Sequence, residues 1–230
     1  MAKSIKGKRR PTLAVLIPGA GPRGTKHAFF QECERELRKM GLSVTMPNAN
    51  DSDGIKSIKE KVNHTVAVVK RQMTRVNPTR VIVIGHSQGF YTGGNAIKIL
   101  KESFPNATFH LVGVANPRSR EEHDLGFNVF MKLLGKKPIK TSAVSDGVET
   151  DAQKLNPDLT IHFKRDPILE PNAEGIPRLL KERLALAEQT HFLKNKASRR
   201  EIIEIIRDYV SEINSGEIRV NQNKAYHTIS

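Results

Sequence analysis

The chain has 230 residues, 37% of them hydrophobic and 27% charged, with 16 Gly and 12 Pro, a composition that excludes collagenous, low-complexity and disordered classes. A chain of this length buries roughly 70 to 75% of its unfolded surface, so a full core forms without staples. The single cysteine, Cys33, excludes an internal disulfide and any cysteine-built zinc site, and 38 Lys and Arg against 24 Asp and Glu give a net charge of +14. Charge of that sign attracts anionic lipid, acidic cell-wall polymer or phosphates. The 5% aromatic content and the lack of any RNP, KH, zinc-finger or recognition-helix pattern argue against nucleic acid.

Residues 1–11 form a basic tail with Lys3, Lys6, Lys8, Arg9 and Arg10. The apolar run behind it, Leu13 to Ile17, is too short for the core of a signal peptide. No stretch approaches 18 apolar residues. The expectation is a chain without a transmembrane segment, cytoplasmic as synthesised.

From Thr12 onward strand and helix signals alternate, which predicts a mostly parallel sheet with helices on both faces. Thr12 to Pro18 is a buried strand ending at Gly19-Ala20-Gly21. Residues 25–40 set Phe29, Phe30, Cys33, Leu37 and Met40 at helical spacing, with Gly41 as a stop. Leu42 to Met46 is a second strand and residues 47–54 a loop. Ile55, Ile58, Val62, Val66, Val69 and Met73 predict a long helix lying on the sheet, ended by Asn77-Pro78. Arg80 to Gly85 is the strongest strand and runs through His86-Ser87-Gln88-Gly89 into another helix reaching Phe104. Thr108 to Ala115 and Thr160 to Lys164 are further strands. A closing helix, capped by Ser198, carries Ile202, Ile203, Ile205, Ile206, Tyr209, Val210 and Ile213.

These signals predict one domain over residues 12–213, followed by a polar tail, 214–230. Residues 118–157 break the alternation and read as an insertion over the carboxyl edge of the sheet. Its apolar stretch, Leu125 to Leu134, is read as core, with a lid or acyl-facing flap as the alternative.

The chemistry lies in Gly85-His86-Ser87-Gln88-Gly89, a G-x-S-x-G between a buried strand and a helix, the context a nucleophile elbow requires. A serine on so sharp a turn takes strained backbone angles, and bulk two residues to either side would strike the neighbouring strand and helix. The bland alternative is a tight turn in which Ser87 merely caps the helix. A serine needs a base and an oxyanion site, and the hydrolase order is Ser, acid, His. Asp166, at the end of a strand, meets the acid requirement, with Asp146, Asp151 and Asp158 as substitutes. Two histidines follow it. His191, shortly before the last helix, is the expected base, and His227 the alternative. His86 points away from a base's position, while His110 and His162 lie in strands. The oxyanion donors are expected to be the amides of Gln88 and of Ala20 or Gly21 in the first loop. That loop lacks the Lys-Ser/Thr of a phosphate loop and the spacing of a dinucleotide site, so neither cofactor nor metal is expected.

At these residues the sequence resembles the α/β-hydrolase superfamily over about residues 12–213, and within it the cutinase-like branch of cutinases, PE-PPE esterases and mycobacteriophage lysin B esterases. Gly-His-Ser-Gln-Gly is similar to that branch's Gly-x-Ser-Gln-Gly elbow, and Asp166-Pro167-Ile168 to its Asp-Pro-Val acid motif. Val114-Ala115-Asn116-Pro117-Arg118 resembles a Gly-Asn-Pro-x-Arg segment of the lysin B type, whose first loop is also Gly-x-Gly. The lone cysteine departs from the disulfide-stapled, secreted cutinases. The resemblance implies a serine esterase or lipase acting on fatty or mycolic acyl esters, whereas the motifs alone imply acyl transfer to water. Thioesterase, peptidase and acyltransferase activities share the same motifs. The competing expectation is an inactive hydrolase fold that binds anionic polymer, membrane or nucleic acid through its charge.

Overall fold

A computed structural model describes residues 11–19, 26–47, 57–116, 128–129, 131, 148–169, 180–216 and 225–229. Six parallel strands form one sheet in the order β2-β1-β3-β4-β5-β6: β1 (Thr12–Ile17), β2 (Ser43–Thr45), β3 (Arg80–His86), β4 (Thr108–Val114), β5 (Leu159–Phe163) and β6 (Ala225–Ile229). Six helices accompany them among the described residues: α1 (Ala28–Lys39), α2 (Ile58–Val76), α3 (Gln88–Ser103), α4 (Ala152–Leu155), α5 (Leu180–Gln189) and α6 (Lys196–Ser215).

The central strands read as unbroken apolar runs because both faces of the sheet are covered. Along β1, Leu13, Val15 and Ile17 join a core with Ile58, Val62, Val69 and Met73 of α2 and with Phe90, Tyr91 and Leu100 of α3. The alternate residues Ala14 and Leu16 join a second core with Phe29, Cys33 and Leu37 of α1 and Ile202, Ile206 and Val210 of α6. The period of two along one strand thus assigns helices to opposite sides.

Local signals set the helix ends. Ser57 caps α2 through a capping box with Glu60, and Asn77 closes it at φ 48° just before Pro78. Gly41 follows α1 at φ 83°. The start of α6 differs from expectation: Asn195, not Ser198, is its cap, accepting from the amides of Ala197 and Ser198.

The tail expected from residue 214 also differs, since Ala225–Ile229 pairs with β5 as an edge strand and Ile229 is buried. Most of the expected insertion, like the basic tail at 1–10, lies outside the described residues. Of its described residues, Met131 is buried in the α2–α3 core, with Val129 and Val148 packed against that core. Its end is pinned to α3, where the Asn95 side chain donates to the Glu149 carbonyl and accepts from the Glu149 amide.

Cys33 is buried, and burial, with a smaller effect from Glu36, pushes its thiol up to about 12. The thiolate is the reactive form. A thiol reagent such as DTNB at pH 8 should therefore leave the native protein unmodified and titrate one thiol in guanidinium. Rapid native labelling would show that α1 does not stay seated. Among the described residues no helix is long and apolar enough to cross a membrane.

Candidate active site

Parallel pairing brings the carboxyl ends of the strands to one edge, with Ile17 beside Gly85 and His86 beside Val114. Ser87 stands there between β3 and α3 at φ 51° and ψ −124°. Such a conformation costs about 1–3 kcal/mol and persists only when its surroundings impose it. Here the Ser87 amide donates to the Val114 carbonyl at 2.9 Å, and Phe90 N donates to Ser87 O. A Cβ on Gly85 would lie 2.5 Å from Phe90 N, and one on Gly89 would lie 2.2 Å from Ile17 O. Both glycines of the motif are sterically required. The Ser87 side chain makes no cap hydrogen bond, which removes the reading of Ser87 as a mere helix cap.

Instead, Ser87 Oγ lies 3.0 Å from His191 Nε2, and His191 Nδ1 lies 2.8 Å from Asp166 Oδ2. A carboxylate only accepts, so Nδ1 carries the hydrogen and Nε2 presents its lone pair to the Ser87 hydroxyl. Asp166 and His191 are 1% and 3% exposed, so the chain of contacts runs through a medium where hydrogen bonds to charge are strong. The other Asp166 oxygen, Oδ1, accepts from the amides of Ile168 and Leu169 at 2.9 and 3.2 Å. Asp166 therefore has both oxygens committed, one to its own turn and one to the imidazole.

Of the residues singled out from sequence, Ser87, Asp166 and His191 come together. His227 does not: it lies in β6 opposite Ile161 with its side chain exposed, while His191 already faces the hydroxyl. Asp151 caps α4, and Asp158 accepts from the Leu111 amide and lies 3.7 Å from His110. Asp146 lies outside the described residues. Gln88 opens α3, where the first N–H groups lack intrahelical partners and the helix dipole favours negative charge. Ala20 and Gly21 lie outside the described residues, but Gly19 at their threshold is packed so close that its Cβ would be 3.0 Å from Ser87 Cβ.

Two residues of the site's surroundings, Lys61 and Arg199, carried no individual expectation, and a third, His86, was expected only not to serve as the base. Lys61 is buried, and its ammonium donates to Gln88 Oε1 at 2.8 Å; the signal was a lysine within the apolar stripe of α2. Arg199, within the stripe of α6, forks onto Glu32 of α1 with two 3.0 Å contacts, and its remaining nitrogen holds the carbonyls of Leu193 and Lys194 just after His191. That hydrogen bond, with the Arg199 charge, lowers the Glu32 carboxyl below its ordinary range. His86, expected to be uninvolved as a base, directs Nε2 at the His191 carbonyl oxygen, 2.7 Å away.

Sheet order, elbow and the order of the three residues define the α/β-hydrolase fold, and solved structures bear this out. A protein of unknown function from Agrobacterium tumefaciens, provisionally assigned to the α/β hydrolases, superimposes with a TM-score of 0.54 at 15% identity, over 92% of this chain and 89% of that one. Est1E from Butyrivibrio proteoclasticus gives 0.52 at 14% identity, over 90% and 89%; it has also been solved with ferulic acid bound. A protein of Lactobacillus plantarum provisionally described as a cell-surface hydrolase gives 0.51 at 11% identity, over 89% and 92%. No protein-family model and no curated protein matches the sequence.

Proposed function

We propose that the chain is a serine hydrolase that cleaves carboxylic esters. The observation that carries this is the unbroken line from Asp166 through His191 to Ser87 on a strained elbow. In this reading His191 Nε2 takes the Ser87 proton as Oγ attacks the ester carbonyl, and Asp166 stabilises the imidazolium through Nδ1–H. The Gln88 amide and that of Ala20 or Gly21 receive the oxyanion. His191 then protonates the departing alcohol, and water, activated in turn by His191, releases the acid from Ser87. The hydrolase character of the structural neighbours supports the reading. Within it, the cutinase-like resemblance favours lipid or long-acyl esters, with a lysin B-type cell-envelope esterase as the narrowest form, and the +14 charge suits an anionic lipid or wall polymer as the surface on which the ester is presented.

The test is a fluorophosphonate probe with mass-spectrometric mapping, run beside p-nitrophenyl esters of two to sixteen carbons and a feruloyl ester. Labelling at Ser87 with turnover is expected. A folded sample that neither labels nor turns over any ester would overturn the proposal and leave a binding protein that works through its charge, whose affinity would fall steeply with salt.

A further inference from the structure

We propose that His86 is a positioning residue that fixes the base to the nucleophile's own strand. This rests on the Ser87–His191–Asp166 reading. His86 and Ser87 are consecutive, and both grip His191: Ser87 Oγ meets its imidazole at 3.0 Å, and His86 Nε2 meets its main-chain oxygen at 2.7 Å. A carbonyl only accepts, so His86 donates from Nε2. The nucleophile and the base are thereby joined by two links that start one residue apart on the elbow.

The second link matters because His191 stands on irregular chain between α5 and α6. The amides after it turn back on the same segment, Phe192 N to Ala187 O, Leu193 N to Thr190 O and Lys194 N to Glu188 O, with Leu193 at φ 50°. The carbonyls of Leu193 and Lys194 go to Arg199. These bonds fold the segment and tie it to α6 and α1. Among the described residues, the main-chain bond from the base to the strand that carries the nucleophile is the one His86 makes.

His86 is itself well held. Its ring stands edge-on to Phe30 with centroids 6.3 Å apart and 5.3 Å from the ring of His191, and Gly19 leaves no room for a side chain beside Nδ1. Burial, with the neighbouring charges of His191 and His27, keeps its pKa well below the ordinary histidine range. A neutral His86 still donates from Nε2 and adds no positive charge 5.3 Å from the ring of His191.

The test compares His86→Phe, which fills the space without a donor, with His86→Gln, which returns an N–H at similar reach. The readouts are kcat and KM on p-nitrophenyl butyrate, the rate of fluorophosphonate labelling at Ser87, and Tm. The Phe variant should lose about 10- to 100-fold in kcat and in labelling rate, the scale of a small misplacement of a catalytic group, with KM little changed. The Gln variant should recover most of that loss. If the Phe variant does not fold, His86→Met gives the donor-free comparison. A donor-free variant with full kcat, or a Gln variant no better than the donor-free one, would overturn the positioning role. Wild-type labelling tells the failures apart: Ser87 labelled with an indifferent His86 removes this inference alone, and Ser87 unlabelled removes both readings.

Discussion

Ser87→Ala should reduce kcat on a p-nitrophenyl ester by on the order of 10⁴- to 10⁶-fold, the range seen when a nucleophile that works as a unit with its base is deleted. Ser87 Oγ is the atom that His191 Nε2 faces at 3.0 Å, and no other hydroxyl is placed there among the described residues. What remains in the variant is the oxyanion site and substrate binding, which lets water react slowly. Stability should hardly move. The Ser87 backbone is fixed by Val114 O and the two flanking glycines rather than by its hydroxyl, and alanine accepts the same strained angles at the same cost as serine. Losing one hydrogen bond is worth about 1 kcal/mol, a Tm change of about 2–4 °C at this size. Paired measurements of turnover and Tm check both halves. A variant that keeps a tenth or more of the wild-type rate would show that the nucleophile lies elsewhere.

The parts of the fold that could be read from sequence are those whose burial leaves a periodic trace. β1, β3 and β4 are apolar on both faces, and α1, α2 and α6 carry one apolar stripe each, so their patterns follow directly from what covers them. β6 has no such trace. It lies at the edge of the sheet after the polar run Asn221-Gln222-Asn223-Lys224, exposes His227 and Thr228, and is a strand because β5 offers it a free row of backbone groups. The juxtaposition of Ser87, Asp166 and His191 was legible for a different reason: chain order and strand ends bring an elbow serine, a carboxylate and an imidazole to one edge of a parallel sheet. Their supports were not. Lys61 reaches Gln88 across 27 residues, His86 reaches His191 across 105, and Arg199 reaches Glu32 across 167. Partnerships that distant depend on packing and leave no spacing to detect. Of the two histidines after Asp166, His191 is the one that meets Ser87 Oγ, while the pairing of β6 holds His227 on the edge strand.

Asp166→Asn should lower kcat by about 10⁴-fold, the scale on which a triad suffers when its histidine is held in the wrong tautomer. The surroundings of Asp166 dictate the outcome more firmly than the substitution itself. Oδ1 accepts from the amides of Ile168 and Leu169, and those two donors will retain the carbonyl oxygen of an asparagine and reject its NH₂ group. The NH₂ must then face His191 Nδ1, where only an acceptor satisfies it. The imidazole responds by moving its hydrogen to Nε2, which confronts the Ser87 hydroxyl with a donor in place of a lone pair. Because the site is 1% exposed at Asp166 and 3% at His191, no solvent is at hand to rescue the alternative arrangement. The loss should therefore appear in kcat with KM nearly unchanged, and Tm should fall only modestly, since every buried group still finds a partner. Raising the pH should restore part of the rate, because hydroxide can substitute for the missing base in removing the serine proton. A variant with undiminished kcat at neutral pH would mean that Asp166 orients its own turn and that His191 works without it.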